Sequence, residues 1–277
     1  MVRIDSHQHF WVYDPEEYAW TGGPESPISN SFAPEQLSPL LAANGFGGAV
    51  AVQARSSLVE NDYLLGLADE HDFIRAVVGW VDLTSPDVSE QLAKYAKHPK
   101  FKGVRHIAQA EPDDAFLTRE DFARGIAALG EFGLAYDILI YHRQLPAAIE
   151  LVRRFPKQKF VLDHIAKPDI RGGRLEPWRK RIEDIASFDN VMCKVSGMVT
   201  EADVAAWKDA DFAPYLETVF EAFGPKRLMY GSDWPVCLLG ADYAGALGIV
   251  ERATEGWSEA DRELLFGGNC AAFYGIE

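Results

Sequence analysis

The sequence predicts a distorted α/β barrel of the (β/α)8 type, one domain over residues 1–277, and three observations lead to it. Short apolar runs alternate with longer helical stretches along the whole chain. About eight such pairs can be counted, the number that closes a barrel. Several runs are apolar at nearly every position, as parallel strands covered by helices on both sides must be. A doubly wound open sheet is the alternative, but no glycine-rich fingerprint follows the first run to support it.

In chain order the expected strands are 2–6, 48–53, 74–81, 102–105, 135–141, 159–163, 191–195 and 228–231. The expected helices are 34–43, 58–71, 85–96, 119–131, 146–154, 177–186, 212–223 and 240–255. Ser85-Pro86 reads as an N-cap with proline at the first helical position, and Thr118-x-x-Asp121 resembles a capping box. Gly45, Gly133 and Gly224 are placed to close helices. The long irregular stretch 11–31 follows the first strand and carries Trp11, Tyr13, Tyr18 and Trp20. It reads as a packed flap, either a wall over the barrel mouth or an ordered piece of surface.

Composition narrows the partners. With 48% hydrophobic and 25% charged residues the chain is an ordinary globular protein. A formal charge of −15 argues against nucleic acid or an anionic membrane surface as a partner. No apolar stretch approaches the roughly 20 residues of a membrane helix. The start, Met1-Val2-Arg3-Ile4-Asp5-Ser6-His7, lacks the core of a signal peptide, and Cys193, Cys237 and Cys270 form no framework, so a cytoplasmic setting is expected. Nothing marks an oligomeric seam.

In a barrel, chemistry lies at the carboxyl ends of the strands. The first strand runs into Asp5-Ser6-His7-Gln8-His9, and alternation by two puts His7 and His9 on one face. The sixth ends in Leu162-Asp163-His164 and the eighth in Gly231-Ser232-Asp233-Trp234-Pro235. Three imidazoles and a carboxylate would meet there, a donor set that suits one divalent ion, zinc above all. Asp233 is the expected general base and His164 its catalytic neighbour. Gln53, Arg55, Arg105, Tyr141, His142 and Lys194 lie near strand ends and are candidates to bind substrate, as is Trp234. Without a metal, a protonated His164, Arg105 or Lys194 would have to polarise the substrate carbonyl.

The order of these motifs resembles the amidohydrolase superfamily, and within it the lactonase branch that includes L-fuconolactonases and L-rhamnonolactonases. The resemblance rests on Asp-Ser-His-Gln-His-Phe-Trp at 5–11, Leu-Asp-His-Ile-Ala-Lys-Pro at 162–168, Cys-Lys-Val-Ser-Gly at 193–197 and Gly-Ser-Asp-Trp-Pro-Val at 231–236. Val52-Gln53-Ala54-Arg55 and Gly103-Val104-Arg105-His106 extend it across the chain. It implies a centre of His7, His9, His164 and Asp233 that hydrolyses a cyclic ester, a small-molecule sugar lactone by preference. Binuclear members carry a bridging Lys or carboxylate at the end of strand 4, where this chain has Arg105 and His106. Arginine is donor-only, so at most one metal is implied, and one that some relatives do without. Hydrolysis of a muconolactone or pyrone, or decarboxylation, is the enzymic alternative; a non-catalytic metabolite-binding barrel is the other class.

Other polar residues have plainer readings. Asp5 and Asp163 either orient the imidazoles or hold turn amides. His71 and His98 read as solvated, and His106 points opposite to Arg105. Lys167 reaches ligand or solvent. Glu201, Asp203, Asp209 and Asp211 read as a solvated acidic face, and the cysteines as small buried hydrophobes.

Overall fold

The computed structural model of the chain describes residues 2–277. Eight parallel strands stand side by side in chain order: β1 (Arg3–Gln8), β2 (Phe46–Val52), β3 (Ile74–Gly79), β4 (Phe101–His106), β5 (Ala135–Ile138), β6 (Phe160–Leu162), β7 (Val191–Val195) and β8 (Leu228–Tyr230). Helices α1 (Pro34–Ala43), α2 (Leu58–Glu70), α3 (Val88–Tyr95), α4 (Glu120–Glu131), α5 (Leu145–Arg154), α6 (Trp178–Ala186), α7 (Asp209–Phe223) and α8 (Tyr243–Ala253) alternate with them. Two short helices that the sequence reading lacked, α9 (Glu259–Glu263) and α10 (Asn269–Tyr274), end the chain. The result is the expected (β/α)8 barrel.

Closure between β8 and β1 is made at the carboxyl end. The Asp233 N–H donates to the His7 carbonyl (2.8 Å) and the His9 N–H to the Trp234 carbonyl (2.7 Å). Asp5 fastens the same seam. Its Oδ1 accepts the N–H of Ser232 (2.9 Å) and of His7 (3.1 Å), and its Oδ2 accepts the Tyr243 hydroxyl (3.1 Å). This pairing carries β1 on to Gln8, two residues beyond its expected end.

Alternation along the strands sorts side chains into two cores. One set, including Ala49, Ala51, Val77 and Leu162, packs outward against the helices. The inner set is Ile4, Val50, Val52, Ala76, Val78, Ala135, Val161 and Met229, and it is closed from below by Cys270 and Tyr274 of α10. Two positions further along four strands, the inward residue becomes charged: Arg105, Asp137, Asp163 and Lys194 are all buried. The barrel interior is therefore apolar at the floor and ionic one layer up.

Several boundaries differ from expectation for local reasons. Ser85 Oγ accepts the Asp87 N–H (3.1 Å) in a turn that precedes α3, so the cap falls at Asp87. No capping box forms at α4, because the Thr118 hydroxyl donates to the Ala115 carbonyl (2.7 Å) and Asp121 pairs with Arg119. Helix α7 begins three residues early, at Asp209, and α8 late, where Asp242 caps the Gly245 N–H (2.7 Å). Gly45, Gly133 and Gly224 adopt positive φ after α1, α4 and α7. The flap is packed down at the mouth: Trp11 is fully buried, stacks on Tyr18 (5.7 Å) and meets Phe32 (5.3 Å), which in turn abuts Trp234 (5.3 Å). Among the described residues no helix is long and apolar enough to cross a membrane.

Candidate active site

The ends of β1, β6 and β8 bring together the residues singled out in the sequence. Donor atoms of His7, His164 and Asp233 all lie within 4.8 Å of one another, and all three residues are buried. His9 stands outside that mutual trio but touches two of its members, with its Nε2 3.2 Å from His7 Nε2 and 3.3 Å from Asp233 Oδ1. Asp233 Oδ1 is also 3.8 Å from the Nε2 atoms of His7 and of His164. Two motif glycines allow this crowding. A Cβ on Gly197 would lie 2.4 Å from His164 Nδ1, and one on Gly231 would lie 2.6 Å from His7 Cβ.

The protonation pattern follows from the partners. His9 Nδ1–H donates to the Val52 carbonyl (2.8 Å), which leaves its Nε2 with a lone pair directed at a carboxylate. Burial, with the Lys194 and Arg105 charges added, holds His7 well below the ordinary histidine range, and burial does the same to His164 and, less far, to His9. Burial would raise Asp233, but the closeness of His164 and His9, with the Lys167 charge added, overcomes it and holds the carboxyl below its ordinary value. Neutral imidazoles thus face an ionised carboxylate, and at His9 the two meet acceptor against acceptor. A proton or a cation between them relieves that repulsion, and the spacings suit a single tetrahedral ion with ligands about 2.0–2.2 Å away. The donor set fits one metal. A protonated His164, one of the metal-free alternatives, is at odds with its depressed pKa.

Beneath this group lies a closed ionic layer. Lys194 Nζ contacts Asp137 Oδ2 (2.5 Å) and Asp163 Oδ1 (3.1 Å), with His7 Nδ1 at 3.3 Å. Arg105 reaches Asp163 Oδ2 (3.2 Å) and His7 Nε2 (3.1 Å), and its Nε and Nη2 donate to Gln53 Oε1 at 3.1 and 2.9 Å. The Tyr274 hydroxyl donates to Asp137 Oδ2 (2.8 Å), tying α10 to the layer. Lys194 is fully buried between the two carboxylates, and Arg105, 3% exposed, is held by Asp163, His7 and Gln53. Asp163 thus contacts an imidazole, with His7 Nδ1 3.5 Å from its Oδ1, whereas Asp5 holds turn amides.

The remaining candidates divide. Arg55 pairs with Glu17 of the flap and lies 5.8 Å from the Tyr18 ring centre. Trp234 is 3% exposed and packs between Phe10 and Phe32. Tyr141 is half-buried, and its ring stands 5.5 Å below Lys167 Nζ. His142 donates to the Lys167 carbonyl (3.0 Å), while His106, turned away from Arg105, bonds Trp80 and Glu111. The cysteines are free and buried. Four residues escaped the sequence reading. Asp137 and Ser196, which meets His164 Nδ1 at 2.9 Å, were passed over, as was Tyr274 in the missed α10. Glu201, assigned there to a solvated face, has a side chain only 19% exposed and faces Lys167 at 3.6 Å. The signal for Asp137 was present, as the sole charge in an otherwise apolar strand.

A parallel barrel with imidazoles and a lone carboxylate gathered at the ends of β1, β6 and β8 defines a class, the barrel enzymes with a water-activating or metal-binding centre. The chain belongs to the amidohydrolase family, whose model matches residues 4–276. It is 41% identical over 286 residues to an L-fucono-1,5-lactonase of Burkholderia multivorans, covering 99% of this chain and 96% of that one. Another L-fucono-1,5-lactonase, from Burkholderia ambifaria, is 38% identical over 283 residues with the same coverage. A crystal structure of an amidohydrolase from Burkholderia multivorans with bound zinc superposes with a TM-score of 0.96 at 41% identity, covering 100% of both chains.

Proposed function

We propose that the protein hydrolyses an aldonolactone, such as L-fucono- or L-rhamnonolactone, to the aldonic acid. The observation that carries the reading is the buried cluster of Asp233 with His7, His9 and His164 at the carboxyl ends of the strands, in a chain matched end to end by L-fucono-1,5-lactonases. Asp233 serves as general base. Its carboxylate takes a proton from water as the water oxygen attacks the lactone carbonyl carbon. Collapse of the tetrahedral intermediate breaks the bond between the acyl carbon and the ring oxygen. That oxygen receives the proton from Asp233 and leaves as the hydroxyl of the open-chain acid. His7, His9 and His164 are neutral imidazoles that orient the attack. A zinc ion held by His7, His164 and Asp233 with His9 beside it would supply an acidified water and positive charge for the carbonyl oxygen. Zinc is favoured by the nitrogen and oxygen donors and by the zinc-bound relative. The fixed Arg105 guanidinium beside His7 supports a single ion. A cytoplasmic step of sugar breakdown, downstream of a sugar dehydrogenase, goes with this reading.

The test is acid release in weak buffer from a panel of aldonolactones and one muconolactone, with enzyme as purified and after chelation. Acidification is expected with a deoxy-sugar lactone, to be lost on chelation and restored by zinc. Activity that survives chelation would remove the metal from the proposal. Acidification by muconolactone alone, or release of carbon dioxide from an aromatic acid, would overturn the sugar-lactonase reading.

A further inference from the structure

Immediately after β6, His164, Ile165, Ala166 and Lys167 have φ of 55°, 48°, 59° and 46°, a left-handed turn without a single glycine. Such a conformation is unfavourable for an L-residue and persists only where the surroundings enforce it. Here they do. The Lys167 N–H donates to the His164 carbonyl (2.8 Å), Trp178 Nε1–H to the Ile165 carbonyl (2.8 Å) and His142 Nδ1–H to the Lys167 carbonyl (3.0 Å). Presenting His164 alone would need only one unusual residue. Four in a row do something more, because in a turn closed from the first residue to the fourth those two side chains point the same way. The turn delivers Lys167 to the face that carries His164.

At that face the side chains of Lys167 and Glu201 are 14% and 19% exposed, and Nζ stands 3.6 Å from Glu201 Oε1. The two form an ion pair, but the ammonium carries three donors and the carboxylate two oxygens, so each keeps bonding capacity beyond the other. The Tyr141 ring backs the Lys167 ammonium from 5.5 Å. Lys167 is near enough to the centre for its charge to lower the pKa of His7, His164 and Asp233. A half-buried donor and acceptor, held side by side at the rim with bonding capacity to spare, match two adjacent hydroxyl groups.

We propose that Lys167 and Glu201, backed by Tyr141, form the subsite that recognises vicinal hydroxyls on the lactone ring, Glu201 accepting from one and Lys167 donating to its neighbour. The assignment rests on the aldonolactonase reading. Its test compares an aldonolactone with δ-valerolactone, the same ring without hydroxyls, in K167M, E201Q and wild-type enzyme, with near-UV circular dichroism to check folding. For each variant kcat/KM should fall at least about tenfold more on the aldonolactone than on δ-valerolactone, the effect of one charge-assisted hydrogen bond, and the loss should appear in KM rather than kcat. Equal losses on both lactones, or a loss confined to kcat, would overturn the subsite and place the pair in the chemical step or the shape of the turn. Variants that keep wild-type KM for the aldonolactone would overturn it as well. A wild-type enzyme that opens no lactone overturns the proposed function itself, an outcome separate from any effect of these variants.

Discussion

Two adjacent layers of the barrel interior are built from similar residue types and behave in opposite ways. In the lower layer two cations, Arg105 and Lys194, meet two carboxylates, Asp137 and Asp163, and the charges balance. In the upper layer Asp233 faces the imidazoles of His7, His9 and His164, and among the described residues no Lys or Arg pairs with it. A balanced buried network specifies a shape. An unbalanced group of acceptors retains its affinity for a proton, a cation or a reacting molecule. The difference shows that burial and charge alone do not mark a site; an unmet partner does.

Breaking the lower layer should produce the largest effect. Lys194→Met leaves Asp137 and Asp163 buried beside one another with a single cation, Arg105, and the neutral His7 and Tyr274 against them. The cost expected of an orphaned buried charge is about 3–5 kcal/mol, roughly 5–10 °C in Tm for a chain of this size, measurable by calorimetry. A Tm within about 1 °C of wild type would show that the layer does not act as a balanced unit.

The upper layer should respond the other way. Asp233→Asn removes the base yet suits the backbone, since φ at this position is 58° and asparagine tolerates the left-handed region. Folding and Tm should be kept while turnover falls by at least about a hundredfold. A folded variant with full activity would remove Asp233 from its role as base.

Much of the upper layer was legible in the sequence, because His7, His164 and Asp233 sit at the ends of apolar runs where a barrel keeps its chemistry. Depth was not legible. Lys194 lies within a buried strand and Lys167 follows one, but strand parity places Lys194 beneath His7, whereas Lys167 reaches the rim only through a left-handed turn that no residue preference announces. Gln53 and Arg55 were plausible ligands by position, and what they bind, Arg105 and Glu17, comes from other parts of the chain. Tyr274 was out of reach for a further reason: its helix closes the barrel floor from the far end of the sequence.

Tyr274→Phe is the mildest way to sharpen the contrast, because it removes one hydroxyl from the lower layer and leaves every charge in place. Loss of the bond to Asp137 should cost about 1 kcal/mol. Its pH dependence carries more information. Burial raises Asp137 to about 6 although Lys194 and Tyr274 oppose the shift. A carboxyl raised on folding contributes stability that is complete below its unfolded pKa and lost as pH rises through the folded one. Without the Tyr274 hydroxyl the folded value rises further, so the Tm difference between variant and wild type should be small near pH 4 and widen towards pH 7. Asp163 moves the opposite way: burial would raise it, but Lys194 and Arg105 hold it below its ordinary value, and its contribution is lost only as pH falls into the acid range. A Tm difference constant from pH 4 to 7 would mean that Tyr274 packs the floor without supporting the Asp137 charge.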